Sequence, residues 1–195
     1  MKNGLFFILA AFLTASLAPA QSARPGLGAI PYENGTMFRV WAPHASEMAV
    51  AGEFNDWHAA PMARDESGGT WSLDIPGARA GHRYKYLVNG ELWKRDPRAR
   101  QVAEISRDGI IYDPDAFDWG DAPIPKPDRN DLVLYQLHVG TFAGKTPPAT
   151  LDDAIAHLDH VRDLGINAVV LMPVNEFPGK LSWGYNPSDL FAVEA

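Results

Sequence analysis

Three groups of side chains in this 195-residue sequence have types and spacing suited to chemistry. The first is the loop after Met172, where Phe177, Trp183 and Tyr185 are interleaved with prolines and glycines in the stretch Leu164–Pro187, LGINAVVLMPVNEFPGKLSWGYNP. That loop is too aromatic for a plain surface connection. The second is Gly52-Glu53-Phe54-Asn55-Asp56-Trp57, which ends on a tryptophan preceded by small and polar residues, a place where an indole is hard to bury. A flat exposed ring stacks on the apolar face of a pyranose, while amide and charged neighbours meet the hydroxyls. The third group is ionisable: Asp152, Asp153, Asp159 and Asp163 with His157 and His160 in one stretch, and Glu176 downstream. The two histidines lie three residues apart without a further ligand set, which reads as a solvated face and not as a metal site.

The elements that must carry these residues fall into two regimes. From Arg24 to about Asp113 short strands alternate with turn signals and no helical period is visible. Phe38–Trp41 and Trp71–Ile75 alternate with period two, with Trp41 and Trp71 expected in the core. Arg83–Val88 and Glu91–Lys94 flank Asn89-Gly90, the dipeptide best suited to the positive φ of a hairpin turn. Tyr84, Tyr86 and Val88 then face inward and Lys85 outward. This is the pattern of an all-β sandwich. Pro114, Pro123, Pro125 and Pro127 mark 114–131 as a semi-rigid linker.

From Leu132 the period changes. Leu132–Val139 reads as a buried strand, and Leu151–Leu164 as one helix with Thr150 as N-cap and apolar residues at 151, 155, 158, 161 and 164. Gly165 suits a helix C-cap, and Ile166–Met172 reads as a strand buried on both faces. Strand, helix, strand is the unit of a parallel sheet with a right-handed crossover.

Composition bounds the partners. The chain is 46% hydrophobic and 21% charged, with 17 Lys and Arg against 24 Asp and Glu, a net charge of −7 and no basic cluster. Nucleic acid is therefore not an expected partner. Residues 1–23 carry Lys2, an apolar run from Leu5 to Leu17 too short to span a membrane comfortably, and Ala18-Pro19-Ala20 as a small-x-small cleavage site. That is the layout of an export signal, so the expected location is periplasmic or secreted, without a stable membrane span after cleavage. No cysteine is present, so no disulfide framework is expected.

Two stretches carry a family resemblance. Val133–Phe142 (VLYQLHVGTF) with LMPVNEFPG and SWGYNP resembles the first two strands of the catalytic barrel in the α-amylase superfamily of glycoside hydrolases, nearest to 1,4-α-glucan branching enzymes and malto-oligosyltrehalose trehalohydrolases. FRVWAPHASEMAVAGEFNDW through YKYLVNGELWKRDP resembles the immunoglobulin-like module that precedes that barrel. The resemblance implies an immunoglobulin-like sandwich at 24–113, followed at 132–195 by the first β-α-β portion of a truncated (β/α)8 barrel. It implies an α-glucan partner and no cofactor. Carried over by position, it places Trp57, Lys85 and Trp93 at glucan-holding positions and Tyr185 where a ring stacks on the sugar beside the scissile bond. Trp57 and Trp93 remain open between sugar binding and a packing role, against the barrel or over an open sheet edge. Retaining chemistry needs two carboxyl groups about 5 Å apart. In relatives these come from later strands, so no catalytic Asp or Glu is assigned here, Glu176 reads as a loop residue, and the chain reads as cut short. The alternative is a stand-alone α-glucan binding module.

Overall fold

The computed structural model describes residues 20–194 except 67, 105, 122, 124, 125 and 145–147. Most of the expected export signal, with Ala18 and Pro19, and Pro125 of the expected linker, lie outside the described residues. Among the described residues no helix is long and apolar enough to cross a membrane.

Two antiparallel sheets face each other across one core. The first is made of β1 (Gly28–Tyr32), β2 (Gly35–Trp41), β5 (Ala63–Arg64) and β6 (Thr70–Pro76), in the order β1-β2-β6-β5. The second contains β3 (Met48–Gly52), β4 (Ala60–Pro61), β7 (Arg83–Val88), β9 (Gln101–Val102) and β10 (Gly109–Ile110), in the order β4-β3-β7-β10-β9, with β8 (Leu92–Lys94) also on β7. Period-two alternation sets the packing: Phe38 and Val40 from β2 and Trp71 from β6 meet Met48, Val50, Tyr84 and Tyr86 from the opposite sheet. Phe38 lies edge-on to Tyr84 with centroids 5.0 Å apart. The sheets therefore form the expected sandwich, with Tyr84 and Tyr86 inward.

Trp41 corrects the expectation that it belongs to the core: it is 66% exposed. With Phe38 and Val40 inward, the same alternation sends Met37, Arg39 and Trp41 to the outer face. Met37 is nonetheless fully buried. Nearby on that face, the segment before β1 is pinned by Ser22 N donating to Ser72 Oγ (3.0 Å) and by Arg39 Nη2 donating to Ser22 O (2.6 Å).

Beyond β10, two 3-10 turns (Pro114–Ala116 and Arg129–Asp131) lead into a separate parallel pair, β11 (Leu134–Leu137) and β12 (Ala168–Leu171). Its register runs Leu134 to Ala168 through Leu137 to Leu171. Between them lie α1 (Val139–Phe142), α2 (Leu151–Ile155) and α3 (Leu158–Asp163). The single helix expected over 151–164 is broken at 156–157. His157 Nδ1 contacts Asp153 O at 2.9 Å and His157 N donates to Ala154 O, a tightened turn in which a local side-chain bond competes with the helical ladder. Thr150 caps α2 in a capping box with Asp153.

The expected burial of these strands is also corrected. Leu134, Tyr135, Val169, Val170 and Leu171 are exposed, and of the helical stripe only Val161 is buried. The strands form because their sequence is apolar and β-branched, but two strands and short helices do not supply a second layer. β13 (Asn175–Glu176) and β14 (Asp189–Val193) complete the chain as an antiparallel pair with an irregular register, and Ala192 packs on Ala99 and Val102 of the sandwich.

Candidate functional site

The outward face of the β3–β7–β8 sheet carries the first candidate surface. Lys85 pairs with Ala51 across β3, and Trp93 pairs with Leu87 across β8. Directly opposed residues share a face, and so do residues two apart, so Lys85 and Trp93 project from the same side, away from Tyr84 and Tyr86. A loop register decides this. Asn89 and Gly90 have φ of 53° and 69°, as the turn requires, but Val88 pairs with Leu92, leaving Glu91 as a third loop residue. A two-residue loop would have set Trp93 opposite Tyr86, on the core face. Instead Trp93 is 48% exposed.

Trp57 stands beyond the end of β3, after a 3-10 turn over Glu53–Asn55. Asp56 and Trp57 both adopt the left-handed region, with φ of 51° and 60°. For residues other than glycine this costs roughly 1–2 kcal/mol each. Asn55 holds the turn: its Oδ1 accepts from Gly52 N (2.9 Å) and its Nδ2 donates to His58 O (2.7 Å), while Trp57 N donates to Gly52 O (2.9 Å). Gly52 is needed because a Cβ there would lie 2.4 Å from Arg83 O. Glu53 binds Arg83 Nε, Nη2 and backbone N, which ties the turn to β7 and holds the Glu53 carboxyl below its ordinary range. The result is a stitched turn presenting an indole that is 37% exposed. Strain maintained by surrounding bonds marks candidate functional positions.

Lys85 has a partner the sequence does not disclose. Its Nζ lies 2.6 Å from Asp108 Oδ1 and donates to Ser106 O at 3.1 Å. The Asp108 side chain is almost wholly buried, so the ammonium neutralises a desolvated carboxylate as well as facing outward.

The second candidate surface lies where the parallel strands end. A cavity of about 450 Å³ opens beyond the C-terminal ends of β11 and β12, lined among others by His138, Thr141, Phe177, Trp183 and Glu194. In parallel α/β arrangements this is the end where ligands bind. His138 belongs to the lining, as its place after the first strand suggests, and its Nε2 contacts Ser182 O at 2.9 Å. Tyr185 is 67% exposed and is not among the lining residues. Gly184 beside it has φ 83° and packs so tightly on Pro173 that a Cβ would meet Pro173 O at 2.1 Å. Among the described residues no group of His, Asp and Glu is arranged to hold a metal ion.

Glu176 is buried in an ion-pair cluster. Arg107 Nη1 lies 3.0 Å from Glu176 Oε1, its Nη2 lies 3.4 Å from Asp189 Oδ2 and donates to Ser188 Oγ (2.7 Å), and Arg95 Nε lies 2.6 Å from Asp189 Oδ1. Burial and the neighbouring Glu194 carboxyl push the Glu176 carboxyl up, and Arg107 opposes them. These contacts explain Glu176 as a structural residue. Arg95 and Arg107 could not be singled out in the sequence, because their partners lie more than 65 positions away.

Comparison with known proteins places these features. Residues 26–102 match carbohydrate-binding module 48, the isoamylase N-terminal domain. The chain is 42% identical over 160 residues to malto-oligosyltrehalose trehalohydrolase of Arthrobacter ramosus, covering 80% of this chain and 27% of that protein. It is 35% identical over 211 residues to 1,4-alpha-glucan branching enzyme GlgB 2 of Xanthomonas campestris, covering 95% of this chain and 28% of that protein. The chain is similar to the N-terminal region of α-amylase-superfamily glycoside hydrolases. Among solved structures, a putative alpha amylase from Salmonella typhimurium superposes with a TM-score of 0.77 at 26% identity, over 87% of this chain and 28% of that one. The pullulanase type I of Bacillus subtilis, solved with maltose, gives 0.69 at 28% identity, over 89% and 28%. The chain spans a little over a quarter of the length of the curated relatives it matches.

Proposed function

We propose that this chain is the N-terminal part of an exported α-glucan-active glycoside hydrolase or 1,4-α-glucan branching enzyme. In this reading 24–113 is an immunoglobulin-like carbohydrate-binding sandwich, 114–131 a linker, and 132–195 the opening β-α-β portion of a (β/α)8 barrel. Residues 1–23 direct export to the periplasm or outside the cell. The observation that carries the reading is the succession in one chain of a module-48 sandwich and a parallel β11–β12 pair whose C-terminal ends open on a cavity. The exposed apolar faces of that pair support it, since further strands and helices of a barrel would cover them.

The ligand is an α-glucan. Trp57 and Trp93 offer their rings to pyranose faces, Lys85 offers an ammonium to hydroxyls, and Tyr185 extends from the barrel side. The catalytic carboxylates belong to strands beyond this chain. A second reading, a stand-alone α-glucan binding module, is favoured by one feature: among the described residues the main cluster of the sandwich core has no member beyond Ile111.

Affinity electrophoresis of residues 20–121 through a native gel containing glycogen tests the binding claim common to both. Retarded mobility is expected, with most of the retardation lost in Trp57→Ala, a change that leaves charge untouched. Trp57→Ala removes one of the two stacking rings, so a loss of about 1–1.5 kcal/mol, or roughly tenfold in affinity, is the expected size. Mobility independent of glycogen at every load would assign Trp57 and Trp93 to packing.

A further inference from the structure

The stretch Ser106–Asp108, between β9 and β10, has contacts on two sides. On one side, Ser106 O and the Asp108 carboxylate are both held by Lys85 Nζ, from the outward face of β7. On the other, Arg107 reaches Glu176, Ser188 and Asp189, all in or beside the β13–β14 pair. Arg107 itself has φ 58°, a conformation that costs a non-glycine residue about 1–2 kcal/mol. Backbone bonds from Arg107 N to Ala103 O and from Ala103 N to Asp108 O shape the turn. Among the described residues Ser106 Oγ is buried without a partner, so its own hydroxyl does not secure the stretch to them. On the sandwich side, among the described residues, Lys85 is its side-chain anchor.

The far end of this chain of contacts is the cavity. β13 and β14 deliver Phe177, Val193 and Glu194 to the cavity wall, with Phe177 N donating to Glu194 Oε2 at 3.1 Å. The Glu176 and Asp189 side chains are nearly buried, and a buried carboxylate that loses its cation is strongly destabilised. Asp189 also has Arg95 Nε at 2.6 Å, so it is chiefly Glu176 that depends on Arg107, and fixing Arg107 fixes the Glu176 side of the wall.

We infer that Ser106–Asp108 is a two-ended latch, in which Lys85 is a positioning residue that keeps Arg107 in reach of Glu176 and Asp189 and so sets the wall of the His138 cavity. Lys85 touches neither carboxylate. The latch makes the sandwich a determinant of cavity shape and does not depend on the sandwich binding sugar.

Hydrogen exchange of the full chain, read by mass spectrometry on peptides from β7 and from 189–193, tests this. Lys85→Met and Arg107→Gly should each speed exchange at 189–193 by about tenfold while β7 stays protected. Glycine accommodates the positive φ, so Arg107→Gly removes the guanidinium without straining the turn. The double variant should exchange no faster at 189–193 than Arg107→Gly alone, because both act through one contact; independent effects would multiply. Arg83→Ala, which breaks an exposed pair on the same strand, should leave 189–193 unchanged. Where Lys85→Met deprotects β7, Lys85→Gln, which keeps a polar donor but loses the charge that pairs with Asp108, replaces it, with a smaller but definite increase expected at 189–193. Exchange at 189–193 unchanged by the Lys85 variants, or multiplicative effects in the double variant, would overturn the latch.

Discussion

At the scale of single residues, Asp96 shows most clearly how burial sets a titration. Its carboxylate is 1% exposed and accepts from Tyr84 Oη (2.7 Å), Arg98 N (2.8 Å) and, at longer range, Tyr86 Oη. Desolvation pushes the carboxyl above its ordinary value of 3.8, and the hydrogen bonds pull it back only in part; the same burial raises both tyrosines well above theirs. A carboxyl with a raised folded value binds its proton more tightly in the native state, so its contribution to stability is complete below the unfolded value and is lost as pH rises through the folded one. Urea unfolding at a series of pH values from about 3.5 upward should therefore show the parent losing stability relative to Asp96→Asn as pH rises toward neutrality. A constant difference across that range would mean that the hydrogen bonds offset the burial completely. The inward placement of Tyr84 and Tyr86 was legible from their spacing in the sequence, but their shared acceptor was not. Asp96 stands in a charged run, KRDPRAR, where no apolar period marks any position as buried.

Among the elements, the β7–β8 hairpin has the most leverage, because its loop length decides which face Trp93 occupies. Asn89 secures that loop twice. It takes the left-handed φ, and its Oδ1 accepts from Ser46 N (2.9 Å), Ser46 Oγ (3.1 Å) and Glu47 N (3.4 Å), while its own N donates to Glu47 O. Asn89→Ala should cost about 2 kcal/mol in chemical denaturation, combining the backbone penalty with the lost hydrogen bonds. Asn89→Gly should recover only the backbone share, about half. Equal costs for the two would locate the whole effect in the side-chain bonds. The Asn-Gly signal made the hairpin and its positive φ values readable from sequence, whereas Glu91 as a third loop residue was not, since pairing is settled by the neighbouring strands. The broken helix at 156–157 was hidden for a similar reason: five apolar residues at helical spacing report a face, and a histidine side chain competing for a backbone carbonyl leaves that spacing intact.

For the molecule as a whole, the two parts differ in how far their apolar residues are covered. In the sandwich two sheets supply each other's second layer, which is why alternation read from the sequence translated into a real core. In the parallel unit the sequence correctly marks strand and helix faces as apolar, yet Leu134, Val170, Ile155 and Leu164 are exposed, because the reading of burial presumes partners that the described residues do not provide. Latch contacts join the two parts without covering these faces. Contiguous exposed apolar surface larger than a few hundred Å² is rare on soluble monomers and marks a surface meant for other contacts. The full chain should therefore bind an apolar fluorescent dye and self-associate with rising concentration, while residues 20–121, which retain the core of Phe38, Val50, Trp71, Tyr84 and Tyr86, should do neither. Extending the chain by the segment that follows in a longer gene product should abolish dye binding if further barrel strands cover β11 and β12. Equal dye fluorescence from the short and full chains, measured at equal molar concentration, would mean that residues 132–194 bury their faces among themselves, and the barrel reading would then lose its physical support.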